Sequence, residues 1–148
     1  MTRRLPAPGH RDFVDSNVLV YAHDASQGPK HEAAQHLVRE LWADRAGALS
    51  TQVLQEFYVV ATRKLDPPMP PTEARELVAL YAAWSLVVID AELILDATVR
   101  EQRDVLSFWD ALIVEAARRA GARRLLSEDL QDGRDFDGTV VENPFRGL

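Results

Sequence analysis

A chain of 148 residues with 47% hydrophobic and 27% charged residues has the balance of one ordinary folded domain rather than a disordered polymer. The absence of cysteine excludes disulfides, a thiol nucleophile, Cys-ligated zinc and iron–sulfur clusters. A net charge of −6 runs against the basic surface usual for nucleic-acid binding, unless several acids gather to hold a cation.

Residues 1–10 carry Arg3 and Arg4 but no apolar core, so they read as an N-terminal extension rather than a secretory signal. No apolar run approaches the ~18 residues of a membrane span, and a cytoplasmic location is expected. The domain itself is expected over residues 11–148.

Residues 11–14 open it as a short buried strand with Asp15 at its carboxyl end, and Ser16 or Asn17 is placed to cap a short helix through Tyr21. Gly28-Pro29 punctuates the chain before a helix over residues 30–45, where Leu37, Val38, Leu41 and Trp42 recur at helical spacing. Residues 47–50 suit a strand. Residues 51–64 suit a helix that turns Val53, Leu54, Phe57, Val60 and Ala61 inward. The segment DPPMPP at 66–71 is a stiff surface loop, because its prolines remove donors and fix the backbone. Thr72 is then placed to cap a helix carrying Leu77, Leu80, Tyr81 and Trp84. A strand at 86–89, a helix at 91–100 and a helix at 107–120 ended by Gly121 follow. A strand at 123–127, an acidic loop at 128–138 and a strand at 139–142 complete the chain. Apolar strands alternating with helices predict an α/β fold whose mostly parallel sheet is covered on both faces. Ligands bind such sheets outside the carboxyl ends of the strands.

Four acids stand where that rule looks for them. Asp15 ends an apolar strand, where a helix cap or turn residue is the plain alternative. Glu56 shares a helix stripe with Val53 and Val60, and a half-buried carboxylate there needs an arginine or a metal as partner. Asp110 stands three residues after Ser107, the spacing of a helix cap, yet leads the apolar stripe of Ile113, Val114 and Ala117. Asp129 follows a strand as Asp15 does, and a solvated turn acid within an already acidic loop (Glu128, Asp132, Asp135, Asp137) is its plain alternative. Carboxylates brought together would raise one another's pKa unless a cation held them, and an all-oxygen donor set selects a hard ion such as Mg²⁺ or Mn²⁺.

The segments FVDSNVLVYA, LSTQVLQEFY, SFWDALIVEAA and LLSEDL…VVENPF, in that order and spacing, resemble the signature segments of PIN-domain ribonucleases. The resemblance runs from about Arg11 to the C-terminus and is greatest to the VapC-type toxins of bacterial type II toxin–antitoxin systems. It implies a three-layer α/β/α sandwich and makes Asp15, Glu56, Asp110 and Asp129 the catalytic, metal-binding acids, with Mg²⁺ or Mn²⁺ positioning water on RNA. Asn17 and Ser127 match polar positions that orient those ligands, and Asp132 lies near enough in sequence to replace or assist Asp129. A cognate antitoxin and a homodimer are the partners implied, with Trp42, Tyr81 and Trp84 as candidate contacts or as core.

Setting the four acids aside leaves a net charge of −2, which one divalent ion would bring to about neutral. Arg118, Arg119, Arg123 and Arg124 cluster at one helix–strand junction, suited either to RNA phosphates or to a solvated helix end. HEAAQH at 31–36 is no zinc motif, because its histidines are five rather than four apart. A phosphoaspartyl enzyme built on Asp15 lacks the usual second aspartate, since Asn17 occupies that position. The remaining rival is a PIN-like module without catalysis that binds RNA or a protein partner.

Overall fold

The computed structural model describes residues 10–148; residues 1–9 of the expected extension lie outside the described residues. Strands β1 (Arg11–Val14), β2 (Gly47–Ser50), β3 (Ser85–Val87), β4 (Ala122–Leu126), β5 (Asp135–Phe136) and β6 (Thr139–Glu142) form one sheet in the order β3-β2-β1-β4-β6-β5. All neighbours run parallel except β5, which pairs antiparallel with β6. Helices α1 (Ser16–Ala22), α2 (Pro29–Asp44), α3 (Thr51–Arg63), α4 (Pro71–Tyr81), α5 (Ala91–Asp104) and α6 (Phe108–Arg119) make the connections.

Right-handed crossovers dictate the layers. The steps from β1 to β2 and from β2 to β3 move one way along the sheet, which puts α1–α4 on one face. The step from β3 to β4 moves back the other way, which puts α5 and α6 on the opposite face. The result is the three-layer sandwich expected from the sequence. Phe13, Val14, Leu49, Leu125, Leu126 and Val141 fill the sheet's two faces, packed by Val18, Leu19, Val53, Phe57, Leu93 and Val114 from the helices. Arg100, itself buried, pairs with Glu115 and Asp104 and so ties α5 to α6.

Several local expectations change. Asp15, rather than Ser16 or Asn17, is the residue preceding α1 and accepts a hydrogen bond from the Ser16 amide. α4 begins at Pro71 with Pro70 before it and no side-chain cap, so Thr72 is not its cap. Proline suits that first position because it has no N–H to satisfy and its φ is already helical. The acidic loop contains β5, joined to β6 by Asp137-Gly138 with both residues at positive φ. That dipeptide is the usual signature of a tight hairpin and was readable in the sequence. Tyr81 and Trp84 are core, stacked edge-on with each other and near Trp42, which alone of the three is exposed. Gly47 is a glycine because a Cβ there would lie 2.4 Å from the Trp84 ring.

The direction of the chain also locates a crevice. β1 feeds a connection toward β2, whereas β4 feeds one toward β6 on the other side. The carboxyl ends of β1 and β4 therefore flank the topological switch point, where open parallel sheets hold ligands.

Candidate functional site

Asp15 and Ser127 lie at that switch point, each one residue beyond its strand. Asp15 is 4% exposed. It accepts from the Ser16 amide at 2.7 Å and from Ser127 Oγ at 2.7 Å. Ser127 Oγ in turn accepts from the Asp129 amide at 3.1 Å and from Asn17 Nδ2 at 3.3 Å. One donor and two acceptor positions are thus all in use, as a hydroxyl permits. Asn17 Nδ2 also donates to Asp129 Oδ2 at 3.0 Å, while its Oδ1 accepts from the Glu128 amide at 3.3 Å. The first turn of α1 and the loop after β4 are laced together around Asp15 and Asp129.

Glu56 enters from the middle of α3. Ser16 Oγ donates to its Oε2 at 2.7 Å, and Gln52 Nε2, one turn earlier on the helix, donates to its Oε1 at 2.8 Å. The same Gln52 nitrogen reaches the Trp109 carbonyl at 3.3 Å, joining α3 to the start of α6. Asp110 stands in the first turn of α6, whose cap is Ser107: its Oγ accepts from the Asp110 amide at 3.1 Å.

Among the described residues, no lysine or arginine is ion-paired with any of these four acids. Burial therefore pushes the Asp15 carboxyl up to about 7. The Ser127 and Ser16 hydrogen bonds oppose that rise, and the charges of Glu56 and Asp129 add to it. Asp110 is also raised, first by desolvation and then by Asp129 and Glu56, against the Ser107 hydrogen bond. Asp15, buried, and Asp110, half-buried, each feel the charges of Glu56 and Asp129. Among the described residues, no three acidic or histidine side chains close into a ready-made cage for a metal ion.

The sequence between residues 13 and 134 matches the family model described as the PIN domain. The chain belongs to the PIN-domain family. A search of curated proteins finds no match to it. Among solved structures, it is similar to Mycobacterium tuberculosis VapC20, described as a sarcin–ricin loop cleaving toxin, with 23% identity and a TM-score of 0.56. That similarity covers 77% of this chain and 86% of VapC20, and it establishes a shared fold.

This PIN domain separates the remaining sequence candidates sharply. Asp132 accepts from the Asn143 amide at 2.8 Å and pairs with Arg146 at 2.7 Å. It fastens the C-terminal turn, while the neighbouring Asp129 is the acid held by Asn17. The four arginines are committed elsewhere. Arg118 donates to the carbonyls of Phe136 and Asp137, and Arg119 pairs with Asp90 at 3.0 Å. Arg124 grips the buried Asp12 and also reaches Glu142, with Arg123 3.7 Å from Asp12. Arg118 and Arg119 end the helix that Asp110 begins, roughly 12 Å away at the ~1.5 Å rise per residue. Arg123 and Arg124 are the second and third residues of β4, before its carboxyl end at the switch point. His31 bonds the Tyr21 carbonyl and His36 pairs with Glu40, so HEAAQH serves α2 and its contacts.

Four residues around the site make contacts that the sequence does not announce, although Gln52 stands one helical turn before Glu56. Ser16 was noted only as a cap, because nothing local announces a partner 40 residues away. Tyr21 and Lys30, both bonded to Glu128 beside Asp129, likewise depend on the fold.

Proposed function

We propose that this PIN domain is a metal-dependent ribonuclease that hydrolyses phosphodiester bonds in RNA, and that it is the toxin of a type II toxin–antitoxin pair. The observation that carries the reading is Asp15. A carboxylate at a switch point, buried without a cationic partner and acted on by the charges of Glu56 and Asp129, calls for a cation. The donors are all oxygens, which suits Mg²⁺ or Mn²⁺.

Asp15, Glu56, Asp110 and Asp129 are the residues that would hold the ion. When bound, a divalent ion there supplies activation of water and neutralisation of charge on the phosphodiester. The chain's own groups prepare for it. Ser127 and Asn17 orient Asp15 and Asp129; Ser16 and Gln52 aim the two oxygens of Glu56. Near neutral pH the Asp15 carboxyl holds a proton part of the time, and its loss accompanies uptake of the cation. Asp129 and Asp110, from the loop after β4 and the start of α6, complete an acid-lined floor against which an RNA phosphate is positioned.

VapC20 is described as a sarcin–ricin loop cleaving toxin, which favours a nuclease toxin over a phosphomonoester hydrolase. On the same likeness, a cognate antitoxin, a homodimer and a cytoplasmic location belong to the proposal. No helix among the described residues is long and apolar enough to cross a membrane. The test is cleavage of pooled cellular RNA by purified protein with Mg²⁺ or Mn²⁺, against EDTA and against Asp15→Asn prepared identically. Metal-dependent cleavage lost in the variant is the expected result. RNA binding with no cleavage under any metal, in protein free of antitoxin, would replace the reading with a non-catalytic binding module.

A further inference from the structure

Trp109 stands one residue before Asp110 and is 64% exposed, although Ala111, Leu112, Ile113 and Val114 immediately after it are all buried. The fold leaves this indole in solvent. It does not leave it loose. The Phe108 ring meets it edge-on with centroids 5.3 Å apart, Ser107 caps the turn beneath it, and its carbonyl accepts from Gln52 Nε2. Because the same nitrogen bonds Glu56, a single side chain connects the Trp109 backbone to a carboxylate of the acidic site.

The surroundings narrow what the ring can serve. Arg118, Arg119 and Arg124 are committed to carbonyls and carboxylates within the fold. A base beside the phosphate needs a contact of a different kind from those that hold the phosphate. A flat aromatic face supplies it by stacking on a base, independently of base identity. Only an unpaired base can present its face in this way, so the feature selects single-stranded or loop RNA over a paired helix.

We propose that Trp109 is a stacking platform for an unpaired nucleobase next to the phosphodiester that is cut. The proposal rests on the ribonuclease reading and adds to it the residue that contacts a base. Phenylalanine preserves a flat ring at this position, leucine preserves apolar bulk without one, and alanine removes both.

The test uses the full chain with a single-stranded 12-nucleotide RNA and with the same RNA annealed to its complement. Cleavage kinetics and fluorescence-anisotropy binding are measured with Mn²⁺ for wild type, Trp109→Phe, Trp109→Leu and Trp109→Ala. Trp109→Ala and Trp109→Leu should weaken binding of the single strand about tenfold and raise KM more than they lower kcat. Trp109→Phe should stay within about threefold of wild type, and the duplex should bind poorly to all four proteins. Quenching of indole fluorescence by the single strand should be smaller in Trp109→Phe than in wild type.

Leucine equal to phenylalanine, or alanine equal to wild type, would overturn the stacking role while metal-dependent cleavage by wild type left the ribonuclease reading standing. A change of sedimentation in Trp109→Ala, with RNA affinity unaltered, would overturn it in favour of a protein interface. A wild type that neither binds nor cuts RNA would remove both readings together.

Discussion

Ser127 Oγ donates to Asp15 Oδ2 across 2.7 Å, joining residues 112 positions apart at the ends of two adjacent parallel strands. The hydroxyl opposes the rise in the Asp15 pKa and, through its acceptor side, anchors Asn17 and the Asp129 backbone. One small side chain thereby sets both the charge and the direction of the acids around it.

Ser127→Ala should therefore weaken divalent-ion binding by roughly 10–100-fold, the usual effect of losing a group that orients a metal ligand. Removing the hydroxyl also leaves Asp15 harder to ionise, which acts in the same direction. Isothermal titration with Mn²⁺ at pH 7 measures it. An affinity equal to that of wild type would show that Asp15 needs no such support.

Glu56→Gln and Asp110→Asn should each lower RNA cleavage by at least about 100-fold while leaving the circular dichroism spectrum unchanged. Both replace a charge by an isosteric amide on a helix that is otherwise well packed. Asp110→Asn also relieves repulsion from Asp129 and Glu56, so its melting temperature should not fall. Full activity in either purified variant would remove that residue from the site.

The Asp15 carboxyl gives the stability of the metal-free protein a definite pH dependence. Its pKa is about 7 in the fold against 3.8 ordinarily, so between those values the native state keeps a proton that the unfolded chain has released. Stability from this group is complete below about pH 4 and lost as pH rises through about 7, a swing of roughly 4 kcal/mol at ~1.4 kcal/mol per unit. Asp15→Asn should abolish the swing. Melting curves in EDTA at pH 5 and pH 8 compare the two proteins; parallel behaviour would contradict the assigned burial. Added Mg²⁺ should stabilise wild type more at pH 8 than at pH 5.

Arg124 is expected to matter for folding and little for RNA. It pairs with Asp12, a carboxylate almost wholly buried in β1. Arg124→Ala should cost about 2 kcal/mol, less than the ~3–5 kcal/mol of breaking a fully buried pair, because Arg123 remains 3.7 Å from Asp12. Urea unfolding reads the loss, and KM for RNA should stay within about twofold of wild type. A large rise in KM with stability intact would return this arginine to the RNA surface.

The amino-acid sequence alone determined the alternation of strands and helices, and with it the layered parallel fold, because hydrophobic periodicity is local and survives without knowledge of partners. It also marked Asp15, Glu56, Asp110 and Asp129, since an acid on an apolar strand end or helix stripe is conspicuous wherever the chain goes. Two local features are encoded in short dipeptides: Asp137-Gly138 turns β5 into β6, and Pro71, not a Thr72 cap, starts α4.

Only the tertiary structure decided which neighbours each charge would have. Asp129 and Asp132 are the same residue type three positions apart, yet the turn after β4 directs one to Asn17 and the other to Arg146. The arginine cluster looks like a phosphate surface in one dimension; folding sets it against Asp12, Asp90 and two carbonyls. Ser16 meets Glu56, and Gln52 meets the carbonyl of Trp109, across separations that no helical or strand period encodes. Long-range pairing depends on the order and crossover hand of the strands, which place the ends of β1 and β4 side by side and bring four dispersed carboxylates into one field.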